Sequence, residues 1–403
     1  MMRILILLAA CSMAIAQRTW VVDMAGRPGT DHGDIPAAVA AAAPGDRVVV
    51  RSTGANLYTS PTIDKPLSLV ALNTHQPAGG TAVAMAGVLR IQRIPAGTHV
   101  RVVGFEIDTN PFFPWGIEVT DCAGLVHLEG MFEFPGNTYT AVGVFRNCAY
   151  LRFHACTLAA FQLPMLFDRC TASFESSFVE AVMGTGFPAP PLMFEISSPT
   201  LRLVDSTVTL SDSVILGADQ GRTNYPTAAF ELLRSTVHIG PTNVVLGGTW
   251  NPFGTETFAT GQGTVIRDPR ALVRSEPITS TVVQRFEYQH HTACGQVDRN
   301  RSFLGSMTGP PNGFGVLALG FPLPSALPGP LGDLWLDPTQ ISFVAAGPLN
   351  EVGFTNRTLF CHANVPIEPF YSFQAGWLGP DGTFGLARPV TFMVGWEPGT
   401  QYP

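Results

Sequence analysis

The sequence has almost no lysine: Lys65 is the only one among 403 residues. Charged residues of both signs make up 13% of the chain, and the formal net charge is −7. A nucleic-acid groove needs clustered cations that displace the counterions of phosphate, so this composition argues against DNA or RNA as a partner. Beyond the amino-terminal segment 1–16, no apolar run has the length of a membrane span.

Several motifs that carry chemistry are missing as well. The sequence has no Cys-x-x-Cys pair, no His/Cys spacing typical of zinc, and no Gly-x-Ser-x-Gly elbow. His290 and His291 stand near Cys294. Adjacent residues of a strand point to opposite faces, so a metal ion shared by the two histidines is not expected.

Glycine, proline and apolar residues are abundant. The 41 glycines and 34 prolines indicate many turns and few long helices, which is typical of all-β proteins. Apolar residues make up 46% of the chain, enough for a large core. At this length, two domains are expected.

A degenerate repeat runs through the middle of the chain. Cys122, Cys148 and Cys170 each separate two short strand-like runs, and they recur at roughly two dozen residues. Pieces such as Leu201–Val204 alternate apolar and polar residues. This pattern predicts a solenoid whose coils stack about 4.8 Å apart. The three cysteines would then be neighbours, either bridged or packed as small buried thiols.

The amino-terminal part predicts one helix. Asp34 is a good N-cap for a helix over Ile35–Ala43, and proline is tolerated in its first turn. Pro44 and Gly45 end it and lead into the strand Arg47–Arg51. A helix at this point would cover the open end of a stack of coils, which otherwise exposes unpaired strand edges.

The series from Gly29 to Val50, continued by Ile63–Val70, resembles the start of bacterial secreted right-handed parallel β-helix proteins, the pectate-lyase-like architecture. The resemblance covers roughly residues 20 to 280 and implies a cap helix and coils of three short strands. It implies little about activity, because this solenoid hosts lyases, hydrolases, epimerases and adhesins. The Asn-Thr-Asp, Asp-Asp, Gly-His-Gly and Arg-x-Lys motifs of its hydrolases are absent from the coils.

Three segments are predicted: a signal peptide over 1–16, a right-handed parallel β-helix over 17–282 and an antiparallel β-sandwich over 283–403. The charged start, the apolar core and the Ala14–Ala16 cleavage site predict export to the periplasm, the cell surface or the medium. Cys11 stands in a lipobox-like context, so a lipid-anchored form is the alternative to simple secretion. The last segment has longer alternating strands with Pro/Gly turns, and it resembles a carboxy-terminal sandwich module of exported bacterial proteins.

Export permits disulfides. Cys294 and Cys361 are the only cysteines in the last third of the chain, so they are predicted to pair.

A polysaccharide lyase on this solenoid needs carboxylates on adjacent coils to hold Ca²⁺, and a cation nearby to remove the proton. If Ile107 and Phe132 share an inward position, Asp108 and Glu133 fall on one outward column. Arg101 would be the neighbouring cation. Glu180 continues the column, with Ala159 interrupting it, and Arg152 is the next cation along.

The competing interpretation of these acidic residues is the solvated outer face of ordinary strands. A shift of one residue in register would also move any of them to the other face. Asp108, Glu133 and Arg101 are therefore the site residues of the enzymatic alternative only.

Aromatic residues in three insertions suggest contact with sugars. The insertions are 109–116, 218–226 and 247–254. They place Trp115, Tyr225 and Trp250 beside polar residues such as Asp219 and Arg222. Flat apolar faces next to hydrogen-bonding groups are suited to stacking on sugar rings. The alternative is that these aromatic residues seal the loops onto the coils.

Two functional hypotheses follow. The first is a noncatalytic exported or cell-surface protein that acts as a binding or envelope-structural module, contacts polysaccharide or another envelope component, and needs no cofactor. The second is a Ca²⁺-dependent polysaccharide lyase or other glycan-active enzyme on the face of the coils.

Overall fold

The computed structural model describes residues 18–52, 57–72, 83–108, 115–133, 141–161, 163–182, 199–217, 227–240, 243–247, 249–250, 254–255, 258–268, 270–273, 280–284, 296–298, 301–327, 334–351, 354–361, 370–386 and 390–395. The predicted signal peptide, with Cys11, lies outside these ranges. Within them, no helix has both the length and the apolar character that crossing a membrane requires.

The predicted helix is confirmed as α1 (Ile35–Ala41). The Asp34 side chain accepts the Ile35 N–H at 2.8 Å, and Pro36 lies in the first turn. Ile35 and Val39 are buried in the core beside the first strands. The helix therefore packs on the first part of the parallel structure.

Short strands dominate the first two thirds of the chain. They are β1 (Thr19–Val22), β2 (Arg47–Arg51), β3 (Tyr58–Thr59), β4 (Thr62–Ile63), β5 (Leu67–Leu72), β6 (Val83–Ala86), β7 (Leu89–Gln92), β8 (His99–Val103), β9 (Phe105–Asp108), β10 (Trp115–Thr120), β11 (Leu125–Glu129), β12 (Phe132–Glu133), β13 (Ala141–Arg146), β14 (Tyr150–His154), β15 (Thr157–Phe161), β16 (Met165–Asp168), β17 (Thr171–Glu175), β18 (Phe178–Val182), β19 (Leu201–Val204), β20 (Thr207–Ser211), β21 (Val214–Leu216), β22 (Phe230–Ile239), β23 (Val244–Leu246), β24 (Thr249–Trp250), β25 (Gly254–Thr255), β26 (Ala259–Arg267), β27 (Leu272–Val273) and β28 (Thr281–Gln284).

All of these strands except β24 and β25 pair in parallel, in three ladders. Ladder A joins β1, β2, β5, β8, β11, β14, β17, β20, β22, β26 and β28. Ladder B joins β4, β7, β10, β13, β16, β19 and the first halves of β22 and β26, and ladder C joins β3, β6, β9, β12, β15, β18, β21, β23 and β27. The chain visits ladders B, A and C in turn, so each strand pairs with its counterpart one coil later. This long parallel arrangement is consistent with a β-helix-like fold.

Left-handed residues turn the chain between ladders. At the BA corner, between ladders B and A, the positive-φ residues are Arg93, Asp121, Asn147, Arg169, Asp205 and Arg234. At the AC corner, between ladders A and C, they are Gly104, Gly130, Ala155, Ser176 and Asp212. One such residue reverses the local backbone curvature, and asparagine and aspartate tolerate it better than most residues.

A cysteine or serine follows most corner residues and ties consecutive coils together. The Ser206 hydroxyl donates to the Val204 carbonyl at 2.7 Å and accepts the Cys170 N–H at 3.0 Å. Ser177 does the same at the AC corner, with Glu175 and Cys156 as its partners. The corners therefore satisfy backbone groups that turns would otherwise leave buried and unpaired.

Stacked aromatic rings fill the centre of the solenoid. Phe145 lies on Phe167 with ring centroids 4.7 Å apart, and Phe153 lies on Phe174 at 4.5 Å. Phe145 and Phe153 meet edge to face at 5.2 Å. Like residues recur at like positions of the coil, so the parallel register turns the sequence repeat into stacks of rings.

The last part of the chain forms mainly antiparallel sheets with a core of their own. The strands are β29 (Gln296–Asp298), β30 (Arg301–Thr308), β31 (Phe314–Gly320), β32 (Pro322–Leu327), β33 (Leu334–Leu336), β34 (Ser342–Pro348), β35 (Phe354–Cys361), β36 (Phe370–Leu378), β37 (Phe384–Leu386) and β38 (Val390–Gly395). Their main sheet has the order β29-β38-β36-β31-β34, and Leu317 and Phe373 lie in its buried cluster. All of the described pairs among these strands are antiparallel except β29–β38, which is parallel. The mainly antiparallel character is therefore confirmed, and the packing as a sandwich stays a prediction. The last strand of the three ladders, β28, ends at Gln284, just past the boundary predicted after residue 282.

Candidate functional site

The predicted carboxylate column does not form. Phe132 pairs with Glu106, and Glu133 pairs with Leu158, so Glu133 stands one residue out of step with Asp108. The register fails because Met131, not Phe132, takes the inward position: Met131 is 1% exposed and Phe132 is 40% exposed. A shift of one residue exchanges the faces of a strand, so the backbone register does not place Asp108 and Glu133 at one outward position of adjacent coils.

The structure also places the other residues of the predicted column. Glu180 pairs with Ala159, as the sequence predicts, and Asp108 is exposed at the end of β9. Within the described ranges, no group of three His, Cys, Asp or Glu side chains is placed to hold a metal ion.

Arg101, the predicted cation, belongs instead to a cluster of six side chains on ladder A. We call this cluster the charged ladder; its members are Arg101, His127, Glu129, Arg152, His154 and Glu175. They lie on β8, β11, β14 and β17, whose alternate residues, such as Val102 and Phe153, point into the apolar core. The charged ladder therefore lies on the outer face of the strands, where sequence reasoning expects solvated side chains.

Two ion pairs join adjacent coils in the charged ladder. Arg101 Nη2 lies 2.8 Å from Glu129 Oε2. Arg152 donates from Nε to Glu175 Oε1 at 3.0 Å and from Nη2 to Oε2 at 2.5 Å. The Arg152 side chain is fully buried and that of Glu175 is 8% exposed. These charge-assisted hydrogen bonds are directional, and removal of one partner would leave the other charge uncompensated in a buried place.

Two buried histidines lie between these pairs. His127 Nε2 is 3.5 Å from Arg152 Nη1 and 3.6 Å from Glu129 Oε2, and His154 Nδ1 is 4.0 Å from Glu129 Oε1. Burial, followed by the charges of Arg152 and Arg101, holds the pKa of His127 well below its usual range. Burial and Arg152 likewise lower the pKa of His154. Both imidazoles are therefore neutral at neutral pH.

The Glu129 carboxylate stays charged although it is buried. Burial by itself raises the pKa of Glu129, but the nearby cations, Arg101 first, outweigh that effect and lower it below its usual value. The charged ladder thus holds two arginine cations, two carboxylate anions and two neutral imidazoles. This balance explains how six polar side chains are tolerated in one buried place.

An open groove runs along the BA corner. Asp121, Asn147, Arg169 and Asp205 line it on successive coils, with Thr171 and Thr207 beside them. Cys122, Cys148 and Cys170 also border it, but they are buried in the apolar core. We call it the corner groove. Each of the four corner residues has a φ between 48° and 55°. The left-handed corner therefore brings one polar side chain per coil to the same edge.

Hydrogen bonds organise the polar side chains of the corner groove. Asn147 Nδ2 donates to Asp121 Oδ1 at 2.8 Å, and Asp205 accepts two bonds from Arg234 at 2.6 Å each. The Arg169 side chain is 61% exposed and that of Asp205 is 37% exposed. The groove thus offers donors and acceptors, in alternation, to a ligand in solvent.

The predicted sugar-contact residues do not line the corner groove; they lie at other places in the fold or outside the described ranges. Trp115 begins β10, is half-buried and pairs with Ala141. Since Trp115 and Asp121 lie at opposite ends of β10, roughly 20 Å separates Trp115 from the corner groove. Asp219, Arg222 and Tyr225 lie outside the described residues. Trp250 ends β24, which forms an antiparallel hairpin with β25.

The predicted stack of cysteines is confirmed. Cys122, Cys148 and Cys170 are buried thiols at equivalent BA-corner positions. Cys156 is a fourth buried thiol, at the AC corner. Cys294 lies outside the described residues, so its pairing with Cys361 stays a prediction.

The comparisons with known proteins add no functional assignment. No protein-family model matches the chain, and no curated protein matches it. Among solved structures, ORF18 of Geobacillus virus E2 is similar at 11% sequence identity, with 85% of this chain and 78% of that chain covered and a TM-score of 0.23. A TM-score this low carries no argument about fold or function.

Proposed function

We propose that the parallel part of the chain is a right-handed β-helix of the pectate-lyase-like architecture. We further propose that the protein is exported and serves as a binding module for an extended polar polymer, with polysaccharide the favoured class. The observation that carries the binding proposal is the corner groove. It repeats one hydrogen-bonding side chain per coil, at a spacing of about 4.8 Å, along an open edge.

The chemistry of the groove suits a chain of hydroxyl groups. Asp121 and Asp205 supply acceptors, Arg169 supplies donors, and Asn147 supplies both. A polymer that lies along the axis of the coils meets the same kind of contact at each step, so weak contacts add up along its length. A short ligand would gain only one or two of them.

The charged ladder supports this proposal in a different way. Its ion pairs link β8 to β11 and β14 to β17, and Arg152 is fully buried, so the cluster stiffens the stack of coils. A rigid support keeps the groove residues at fixed spacing, which lowers the entropy lost when a ligand binds.

Glycan binding by the full chain tests the proposal. On a glycan array that includes acidic and neutral polysaccharides, we expect binding that Arg169→Ala weakens. The matched control is Arg202→Ala. This arginine is also exposed and ion-paired, to Glu231 at 2.7 Å, but it lies on β19 outside the groove. Absence of any glycan signal, or equal losses in the two variants, would contradict the proposal.

A second candidate is a polysaccharide lyase, favoured by the neutral imidazole of His154. This side chain keeps 11% of its surface exposed, although its Nδ1 atom is buried and makes no hydrogen bond within the described residues. A neutral base beside arginine is the combination that removes a proton next to a uronate carboxylate. The assay follows the absorbance of unsaturated product from acidic polysaccharides, with and without Ca²⁺. Activity that survives His154→Ala would exclude this base.

A further inference from the structure

The main antiparallel sheet has one side on its core and one side in solvent. On β31, Leu317 lies in the buried cluster, so Phe314 and Val316 point to the opposite side. On β36, Ala375 is buried in the same cluster, so Leu378 points to that opposite side as well. We call this side the outer face; its larger side chains are Phe314, Val316, Phe343, Leu378, Phe384 and Leu386.

Strand pairing brings three of these side chains into one row. Phe314 pairs with Leu378, and Leu378 pairs with Phe384 on the next strand. Residues directly opposite each other on antiparallel strands share a face, with Cβ atoms about 4.5 to 5.5 Å apart. A Cβ atom added at Gly376 would lie 3.6 Å from Phe384 Cζ, so the Phe384 ring lies on this face of β36. Each member of the row is 44% exposed.

Phe343 extends the outer face onto β34, the last strand of the sheet. It pairs with Ala318 of β31, next to a break in the register, and it is 78% exposed. None of the strands β31, β34, β36 and β37 contains a charged residue. The outer face is therefore an uncharged apolar surface that crosses four strands.

The outer face is large enough to take part in a protein–protein interface. The exposed parts of Phe314, Phe343, Leu378 and Phe384 add up to roughly 400 Å², if a whole large apolar residue has about 200 Å². An ordinary interface buries about 800 Å² of each partner. These four side chains supply about half of that area, and the smaller apolar residues around them add more. The area fits a dimer that forms reversibly.

The chemistry of the outer face favours a second copy of this chain as its partner. Its strands carry no charge, so they offer nothing complementary to a charged protein or to anionic lipid headgroups. Sugar binding needs hydrogen-bonding groups beside the aromatic rings, whereas Phe314, Phe343 and Phe384 have none on their side chains. An identical apolar face of matching size is what a second copy provides.

We propose that two copies of the chain dimerise through their outer faces, related by a two-fold axis. Phe343 and the row of Phe314, Leu378 and Phe384 are then buried against the same surface of the other copy. A two-fold contact uses this surface once on each copy, so assembly stops at two. The dimer carries two corner grooves, which strengthens its binding to a polymer with repeated sites. Dimerisation itself does not depend on the proposed glycan binding.

Sedimentation velocity of the full chain, over a wide range of concentrations, tests this inference. We expect an equilibrium between one and two copies. Leu378→Asp places a carboxylate in the middle of the row and should raise the dissociation constant about 100-fold or more, because the charge has no partner in the interface. The matched control is Leu272→Asp. Leu272 is 53% exposed but lies on β27 in ladder C, so the control should dimerise like the wild type.

A second variant and a readout on the wild type keep the test decisive if Leu378→Asp does not fold. Phe343→Glu alters the most exposed side chain of the outer face and should also weaken the dimer. In the wild type, hydrogen exchange of peptides from β34 and β37 should slow as the concentration rises.

A single copy at every concentration, a mass above two copies, or equal effects of Leu378→Asp and Leu272→Asp would overturn the proposal. It would also be overturned if a single copy bound insoluble polysaccharide or phosphatidylcholine vesicles and Phe343→Glu abolished that binding. Because the mass is measured without any glycan, a failure of the proposed glycan binding would leave this result unaffected.

Discussion

Arg152 and Glu175 form a two-pronged ion pair between adjacent coils, with donor–acceptor distances of 3.0 and 2.5 Å, and the Arg152 side chain is fully buried. Such a pair holds the coils in register only while both partners are present. Removing one leaves a charge in a place from which water is excluded.

The first prediction is that Glu175→Gln destabilises the protein strongly. Loss of one partner of a buried pair costs about 3 to 5 kcal/mol of unfolding free energy, because the remaining charge is uncompensated. Chemical denaturation measures the change. Arg202→Ala, which breaks the exposed pair with Glu231, is the matched control and should change stability by less than about 1 kcal/mol. Replacing Arg152 and Glu175 together by apolar residues should restore most of the lost stability. Equal losses of stability in Glu175→Gln and Arg202→Ala would contradict the conclusion that the Arg152–Glu175 pair is buried.

The second prediction concerns acid sensitivity. Burial holds the pKa of His127 and of His154 below the unfolded value of 6.5. Below pH 6.5 the two histidines bind protons in the unfolded chain but not in the folded chain. Their contribution to the unfolding free energy is therefore fully present above that pH, and it is lost as the pH decreases toward the folded pKa values.

Unfolding free energies between pH 7.5 and 5 measure this slope, and His127→Gln should make it shallower. The charged and titratable groups around this ring are Arg152, Arg101, His154, His99 and Glu129. Glu129 does not change its charge between pH 7.5 and 5, because its pKa lies below its ordinary value of 4.5. Identical slopes for the wild type and the variant would count against a neutral His127.

The third prediction concerns the serines that follow the corners. Ser206→Ala removes the acceptor of the buried Cys170 N–H and should cost about 1 to 3 kcal/mol. Ser176→Ala is the control, because Ser176 is exposed and its contact with Asp212 is long, at 3.4 Å. Thermal unfolding of the two variants compares them directly. A Ser206→Ala protein as stable as the Ser176→Ala protein would show that the hydroxyl does not carry this bond.

The fourth prediction is a gain in stability. Ala155 has a φ of 50° at the AC corner, where Gly104 and Gly130 occupy the equivalent positions of earlier coils. Ala155→Gly should stabilise the protein by up to about 1 kcal/mol, because the left-handed conformation strains alanine but not glycine. Ala159→Gly, in a buried extended strand, should destabilise it. Loss of stability in both variants would contradict the corner assignment.

The sequence predicted the stacked elements well because their signals are local or periodic. Asp34 and Pro36 marked the start of the helix. The recurrence of Cys122, Cys148 and Cys170 predicted which residues of adjacent coils lie next to each other, without any long-range information. The failure at Glu133, in contrast, has a non-local cause. Phe132 is the larger apolar residue, but Met131 fills the core, and only the neighbouring coil decides between them.

The charged ladder was missed for a different reason. In an alternating strand, polar residues such as Glu129 and Glu175 belong to the outer phase, and a polar outer phase usually means solvent. Their burial depends on how the whole chain packs around that face, which the period of a single strand does not encode. The signal that was present is the alignment itself: once the coils are in register, arginine, histidine and glutamate recur at the same outer positions.

From β8 onward, the longest connections of the solenoid run from ladder C to ladder B, as between β18 and β19 or between β21 and β22, whereas the BA and AC corners stay short. This division makes the protein a natural host for engineering. Foreign peptides inserted between ladders C and B should leave the corners intact, and a whole coil, taken from one BA corner to the next, becomes a unit that can be duplicated or exchanged to lengthen the molecule step by step.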